Sequence, residues 1–200
     1  MKILVACEYS GTVREAFKKL GHDAVSCDLL DTEIEGKHYK GNVLDILEDG
    51  WDMMIAHPPC TYLSVSGMHW TTRGLRDPKL TEDALEFVTK LLSANIPKIC
   101  VENPVSVISS RIRKPDQIVQ PWMFGDDASK KTCLWLKGLP KLVTTDELIK
   151  DRYANQTVSG QNKLPPSKDR WKIRSKTYSG IAEAMAQQWS KYYYDLQNKK

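Results

Sequence analysis

No run of eighteen apolar residues occurs in this chain of 200, so no membrane-spanning helix is expected. The opening stretch, Met1-Lys2-Ile3-Leu4-Val5-Ala6, passes straight into a short apolar run, without the long h-region and cleavage site of a secretory signal. The five cysteines (Cys7, Cys27, Cys60, Cys100, Cys133) contain no Cys-x-x-Cys spacing, and their odd number leaves no complete disulfide framework. Four of them lie in or beside apolar runs, as buried free thiols do. A reducing cytoplasm is therefore expected, and a disulfide scaffold or zinc cluster is not. Histidine is scarce. His22, His38, His57 and His69 are scattered, with no HxxxH or HExxH, so neither a metal centre nor a catalytic triad has support, and His57 is read as a residue that shapes its loop. Only one glycine follows the first apolar run, which excludes the dinucleotide fingerprint. Internal repeats and low-complexity tracts are also absent.

What is present fits one soluble globular domain. Two hundred residues suffice for one sizeable core and are too few for two ordinary domains. The net charge of +4 hides an asymmetry. Residues 1–60 are acidic, whereas the stretch Lys163–Lys176 carries Lys163, Lys168, Arg170, Lys172, Arg174 and Lys176 against Asp169 alone. Trp171 and Tyr178 interleave the basic run. Basic plus aromatic is the composition of a surface that contacts phosphates and stacks bases; it is also that of an ordinary solvated loop.

The hydrophobic pattern predicts an α/β fold. Ile3 to Ala6 reads as a buried strand. Val13, Ala16, Phe17 and Leu20 recur at helical spacing, Gly21 ends that helix, and Asp23 to Asp28 reads as a second strand. This is a βαβ unit, so a mostly parallel sheet with helices on both faces is expected. Further strands are predicted at Asp52–Ala56, Ile99–Val101 and Thr132–Leu136. A helix is predicted from Thr81, as its cap, to Asn95, and another capped by Ser179, with Ile181, Met185, Trp189 and Tyr193 at four-residue steps. Val43 to Leu47 is a short element of open type. Residues 138–176 are polar and loop-rich, with a helical turn predicted near Asp146–Lys150.

The chemistry-bearing residues fall at predicted strand ends. His57-Pro58-Pro59-Cys60-Thr61-Tyr62-Leu63-Ser64 follows the strand Met53–Ala56, and about forty residues later Val101-Glu102-Asn103-Pro104 follows the strand beginning at Ile99. Most cytosolic cysteines are inert core residues. Two prolines, however, hold Cys60 on a stiff loop at a strand end, where open α/β sheets hold their sites. A thiol and a carboxylic acid there are a plausible nucleophile and acid. Glu8-Tyr9-Ser10-Gly11 opens the first helix, where a nucleotide-like cofactor meets backbone N–H groups; a plain strand–helix turn reads equally well. Asp28, ending the second strand, is either a ribose-binding acid or a turn residue.

These segments resemble the cytosine-C5 DNA methyltransferase family, in which a Pro-Cys loop and a Glu-Asn pair occur in this order. The resemblance implies a Rossmann-like S-adenosylmethionine-dependent methyltransferase fold over one domain, residues 1–200. Tyr9, Ser10 and Gly11 resemble the first motif, with Val13 where a second glycine is usual. With Asp28, Asn42 and Pro58 they would bind S-adenosyl-L-methionine; Asn42 stands where the family usually has an aspartate, and Asp45 competes for that role. Ser129-Lys130-Lys131-Thr132-Cys133-Leu134-Trp135-Leu136 resembles the basic motif leading into a strand, with lysines for arginines. Gly180-Ile181-Ala182-Glu183-Ala184-Met185-Ala186 resembles the closing glycine-led helix. Residues 138–176 stand where typical members carry a target-recognition domain, as in short forms met in phages.

The resemblance further implies that Cys60 adds to C6 of cytosine and Glu102 engages its N3 and amino edge. Glu102 then needs a raised pKa or protonation on binding, and Cys60 an environment that helps it ionise. Asn103, Lys130, Lys131, Arg170, Lys172 and Arg174 would contact the substrate. The partner would be DNA or a cytosine nucleotide, with no metal and no membrane, in the cytoplasm of a bacterial host. Three alternatives stand beside this reading: the same chemistry on a free nucleotide or single strand, a degenerate fold that only binds, and an unrelated cysteine hydrolase.

Overall fold

The computed structural model describes residues 1–198. Seven strands form one sheet: β1 (Lys2–Ala6), β2 (Asp23–Asp28), β3 (His38–Lys40), β4 (Met53–Ala56), β5 (Ile99–Pro104), β6 (Gln117–Val119) and β7 (Thr132–Lys137). Their spatial order is β3-β2-β1-β4-β5-β7-β6. The first five run parallel, and β7 is antiparallel to both neighbours. Six α-helices accompany them: α1 (Thr12–Lys19), α2 (Val65–Thr72), α3 (Lys79–Ser93), α4 (Ile108–Arg111), α5 (Arg170–Ser175) and α6 (Ser179–Gln197). The expected α/β fold, with a mostly parallel sheet covered on both faces, is the one observed.

Strand alternation sorts the core into two layers. Ile3, Val5, Met53 and Ile55 point to the face covered by α1 and α6, packing with Phe17, Met185 and Trp189. Leu4, Ala6, Met54 and Ala56 point to the face covered by α3, with Leu85, Val88 and Leu91. The central strands are buried throughout, which is why they read as continuous apolar runs rather than alternating ones. Burial of these side chains at roughly 1.5–3 kcal/mol each dominates the stability of the sheet.

The chain runs outward from β1 in both directions, to β2 and β3 on one side and to β4 and β5 on the other. A topological switch point therefore lies between β1 and β4, and the crevice beyond their carboxyl ends is where such sheets bind ligands. The β1–α1 turn and the Pro-Pro-Cys loop both open into that crevice.

Several local expectations are corrected. Thr81 does not cap α3, which begins at Lys79 behind Pro78; its hydroxyl donates to the Tyr62 carbonyl at 3.1 Å. Ser179 is the first residue of α6 rather than its cap. The capping acceptor is Asp126, which takes hydrogen bonds from the Gly180 amide at 2.9 Å and the Ser179 hydroxyl at 3.2 Å. Residues 146–150 are not helical, and Asp146 bridges to Phe124. Val43–Asp45 is a single 3-10 turn.

Candidate active site

At the end of β1 the backbone turns through Cys7, whose φ of 57° is left-handed and rare for a residue with a side chain. Glu8, 4% exposed, then points into the start of α1. Its carboxylate accepts from the Val13 amide at 2.7 Å and the Arg14 amide at 3.2 Å, and the Ser10 hydroxyl donates to it at 3.3 Å. The helix N-terminus expected to meet a cofactor is thus already satisfied by Glu8, an anion placed where the helix dipole favours one. Ser10 is buried in this local network and also accepts from the Thr12 amide. Gly11 must be glycine. Its φ is 75°, and a Cβ there would stand 2.8 Å from the guanidinium of Arg14. Arg14 is fully buried, donating to Ser26 and Thr32 and so tying α1 to the turn after β2.

Tyr9 is 7% exposed because α5 covers it. Its hydroxyl donates to the Lys172 carbonyl at 2.6 Å, and its ring meets that of Trp171 at 6.4 Å. Lys176, just beyond α5, pairs with Glu33. The α5 end of the basic run therefore lies across the β1 turn, while Lys163, Lys168, Trp171 and Arg174 stay exposed. Between them remains a cavity of about 30 Å³, lined by Cys7, Glu8, Tyr9, Ser10, His57 and Ser175–Thr177. It is far smaller than the several hundred Å³ of an ordinary ligand pocket.

Asp28 ends β2 as expected, half-buried, with one carboxylate oxygen accepting from the Leu30 amide at 2.9 Å. Asn42 is exposed and caps the 3-10 turn through the Leu44 amide. Tyr9 and Asp28, an aromatic ring and a carboxylate at adjacent strand ends, are groups of the type that hold a nucleoside. With α5 seated on Tyr9, the cavity beside them has no room for one.

On the β4 side the loop is held by its neighbour. The Asn103 side-chain amide donates to the Pro58 carbonyl at 2.8 Å. Arg76 donates to the Thr61 carbonyl at 3.0 Å. Pro58 is buried, while Cys60 is exposed and unpaired with any other cysteine. Its surroundings still exclude enough water to push the thiol up, with help from the Glu102 charge; Lys130 and Arg174 pull the other way. The environment expected to ionise Cys60 is thus only half present.

Glu102 is 7% exposed. Burial pushes its carboxyl up, but the Lys130 charge and the hydrogen bond with His57 outweigh that and hold it below the ordinary carboxylate value. The expectation of a raised pKa fails, because a cation and a donor stand next to the carboxylate. Protonation on binding remains. Glu102 Oε2 lies 3.0 Å from His57 Nδ1. Glu102 Oε1, His57 Nε2 and Asn103 Oδ1 are buried without a hydrogen-bond partner. Three such atoms in one place are unusual in a settled core.

Lys130 is half-buried, donates to the Arg174 carbonyl at 3.2 Å and is the one of the two adjacent lysines whose charge acts on both Cys60 and Glu102. Lys131 is exposed. Arg170 and Lys172 sit on α5 over Tyr9, and Arg174 is exposed near Cys60. A wider groove of about 350 Å³ beside α3, lined by Glu82, Asp83, Glu86 and Arg111, includes none of these residues. Among the described residues no cluster of three or more metal-ligating side chains occurs, and no helix is long and apolar enough to cross a membrane. Sequence reasoning missed the roles of Glu8, Arg14 and His57. The first two were legible as charged residues flanking the glycine turn, but nothing local marked their partners.

The order of the sheet, with its single reversed strand, defines a Rossmann-like α/β fold. No family model and no curated protein matches the chain. Among solved structures, the Entamoeba histolytica methyltransferase EhMeth matches at 16% identity with a TM-score of 0.50, over 73% of this chain and 57% of its own. A protein described as a candidate DNA modification methyltransferase encoded within a prophage (E. coli) matches at 12% identity with a TM-score of 0.44, over 67% and 45%. The chain therefore spans about half the length of these two structures.

Proposed function

We propose that this chain carries DNA (cytosine-C5) methyltransferase activity that works through a covalent bond from Cys60. The observation that carries the reading is an exposed thiol on the loop after β4 and a buried carboxylate on the adjacent parallel strand β5, the carboxylate keeping one unpartnered oxygen. S-adenosylmethionine, held by Tyr9 and Asp28 with the Gly11 turn beside it, supplies the methyl group. Cytosine C5 is a weak nucleophile. The Cys60 thiolate adds at C6, the ring takes a proton at N3, and C5 becomes enamine-like. After C5 accepts the methyl group its proton passes to solvent, the C6–S bond breaks as Cys60 leaves as the thiolate, and N3 gives back its proton to leave neutral 5-methylcytosine.

Glu102 engages the N3 and amino edge through Oε1. Its carboxyl is held below the ordinary value, so the proton that N3 needs is taken up from solvent as the base binds. In duplex DNA the base must leave the stack, at a cost of a few kcal/mol; Lys130 and the cations of α5 supply phosphate contacts.

One observation favours a second substrate. The described part of residues 138–176 holds only α5 as a regular element, and that element packs on the site. A free cytosine nucleotide or a single strand needs no separate recognition domain. Incubation with labelled S-adenosylmethionine and duplex DNA, single strands or mononucleotides, followed by nucleoside mass analysis, separates the two. 5-Methylcytosine from DNA supports the first reading, and product from mononucleotides alone supports the second. No product from any of them overturns both.

A further inference from the structure

The proposed reaction leaves one buried imidazole unused. His57 directly follows β4, and its amide donates to the Ala6 carbonyl at 2.9 Å, so its backbone continues the pairing of β1 with β4. Its side chain is 7% exposed and stands three residues before Cys60. Nδ1 lies 3.0 Å from Glu102 Oε2. An ionised carboxylate can only accept, so the proton of this contact belongs to Nδ1. The contact occupies Oε2 and leaves Oε1, buried and unpartnered, as the one oxygen Glu102 can offer a ligand. No other side chain among the described residues hydrogen-bonds this carboxylate.

We propose that His57 is the positioning residue of the Cys60–Glu102 centre: by holding Oε2 through Nδ1, it aims Oε1 at the polar edge of the incoming base. This rests on the reading of Cys60 and Glu102 given above. The charged and titratable groups around the ring are Glu102 with Lys130 beyond it, Cys60 on its own loop, and Cys7, Glu8, Tyr9 and Lys176 across the small cavity. The arrangement follows a general pattern in which a hydrogen bond from outside the reacting pair fixes the rotamer of a catalytic group. Without it, a buried carboxylate with two free oxygens has no reason to prefer one orientation.

The test is covalent capture of an oligonucleotide containing 5-fluorocytosine, in the presence of S-adenosylmethionine, across a pH series. His57→Ala is expected to slow adduct formation about 10- to 100-fold, the rate equivalent of one hydrogen bond to a charged group, and to move the pH profile. His57→Asn, whose side-chain amide can donate in place of Nδ1, is expected to restore most of the rate. An unchanged rate and profile in His57→Ala overturns the proposal. Equal losses in both variants with an unmoved profile also overturn it, since that marks a packing role. Should His57→Ala fail to fold, His57→Asn and the ring ¹⁵N shifts of the native protein decide. A proton on Nδ1 that responds to Glu102→Gln supports the proposal, and a ring protonated on Nε2 alone overturns it. If the native protein captures no cytosine, the methyltransferase reading fails, and the ¹⁵N shifts still settle the contact independently.

Discussion

The two sides of the crevice are built on opposite principles. On the β1 side nearly every polar group is answered from within. Glu8 saturates the helix start, Arg14 is fully buried with its donors used, Gly11 fits only because it lacks a side chain, and α5 closes over Tyr9. On the β4–β5 side the framework is equally firm, with Asn103 and Arg76 holding the loop, yet Cys60 is exposed and buried polar atoms of His57, Glu102, Asn103 and Ser106 stand unpaired. Leaving a buried polar atom unpaired costs about 1–3 kcal/mol, and a fold keeps such atoms where a ligand answers them. Saturation marks the scaffold that shapes a pocket, and unpaired atoms on a rigid frame mark the place where a reacting group is received.

The sharpest way to break this comparison is Cys60→Ser. Methyl transfer and the adduct with 5-fluorocytosine are expected to fall by a factor on the order of 10³ or more, as for other covalent nucleophiles. Because Cys60 is exposed, the thermal midpoint is expected to hold. An adduct that persists moves the nucleophile elsewhere.

Glu102→Gln is expected to slow adduct formation by about 10²–10⁴-fold with cofactor affinity unchanged in calorimetry. It also has a signature in stability. The Glu102 carboxyl is held below its unfolded value, so its contribution to stability is present at neutral pH and is lost as pH falls through the folded-state value. Denaturant titrations from neutral pH into the acidic range are expected to show native protein losing more stability than Glu102→Gln. Identical pH dependence would mean the carboxylate is not stabilised by its neighbours.

On the saturated side smaller effects are expected. Tyr9→Ala removes both the aromatic face and the tether to α5, and Asp28→Ala the strand-end carboxylate. Each is expected to weaken S-adenosylmethionine binding by roughly one hydrogen bond or stacking contact, about tenfold, measured by calorimetry. Unchanged affinity in both would leave the β1 turn a plain strand–helix junction. The smallest effect is electrostatic. Replacing Lys168, Arg170 and Lys172 by alanine is expected to flatten the slope of log K against log salt for DNA by up to about 0.9 per lost phosphate contact. An identical slope would leave α5 a cover for Tyr9 and nothing more.

Much of this molecule follows from local pattern. α1 and α3 were legible because one buried face imposes a period of 3.6, β1 and β2 because buried strands read as apolar runs bounded by turn residues, and the prolines around Cys60 announce a rigid loop without help from elsewhere. β3 and β6 were not legible. Each is three residues long and largely unburied, and only pairing to a neighbour makes it a strand. α2 has no buried residue and therefore no apolar stripe to read. The caps show the same divide. Asn42 binds an amide two residues on and fits a sequence rule, whereas Asp126 caps α6 across 54 residues of chain. The decisive contact of the site, His57 on Glu102, spans 45 residues. It exists because two parallel strands end side by side, so what each side chain is was written in the sequence, and what it meets was decided by the register of the sheet.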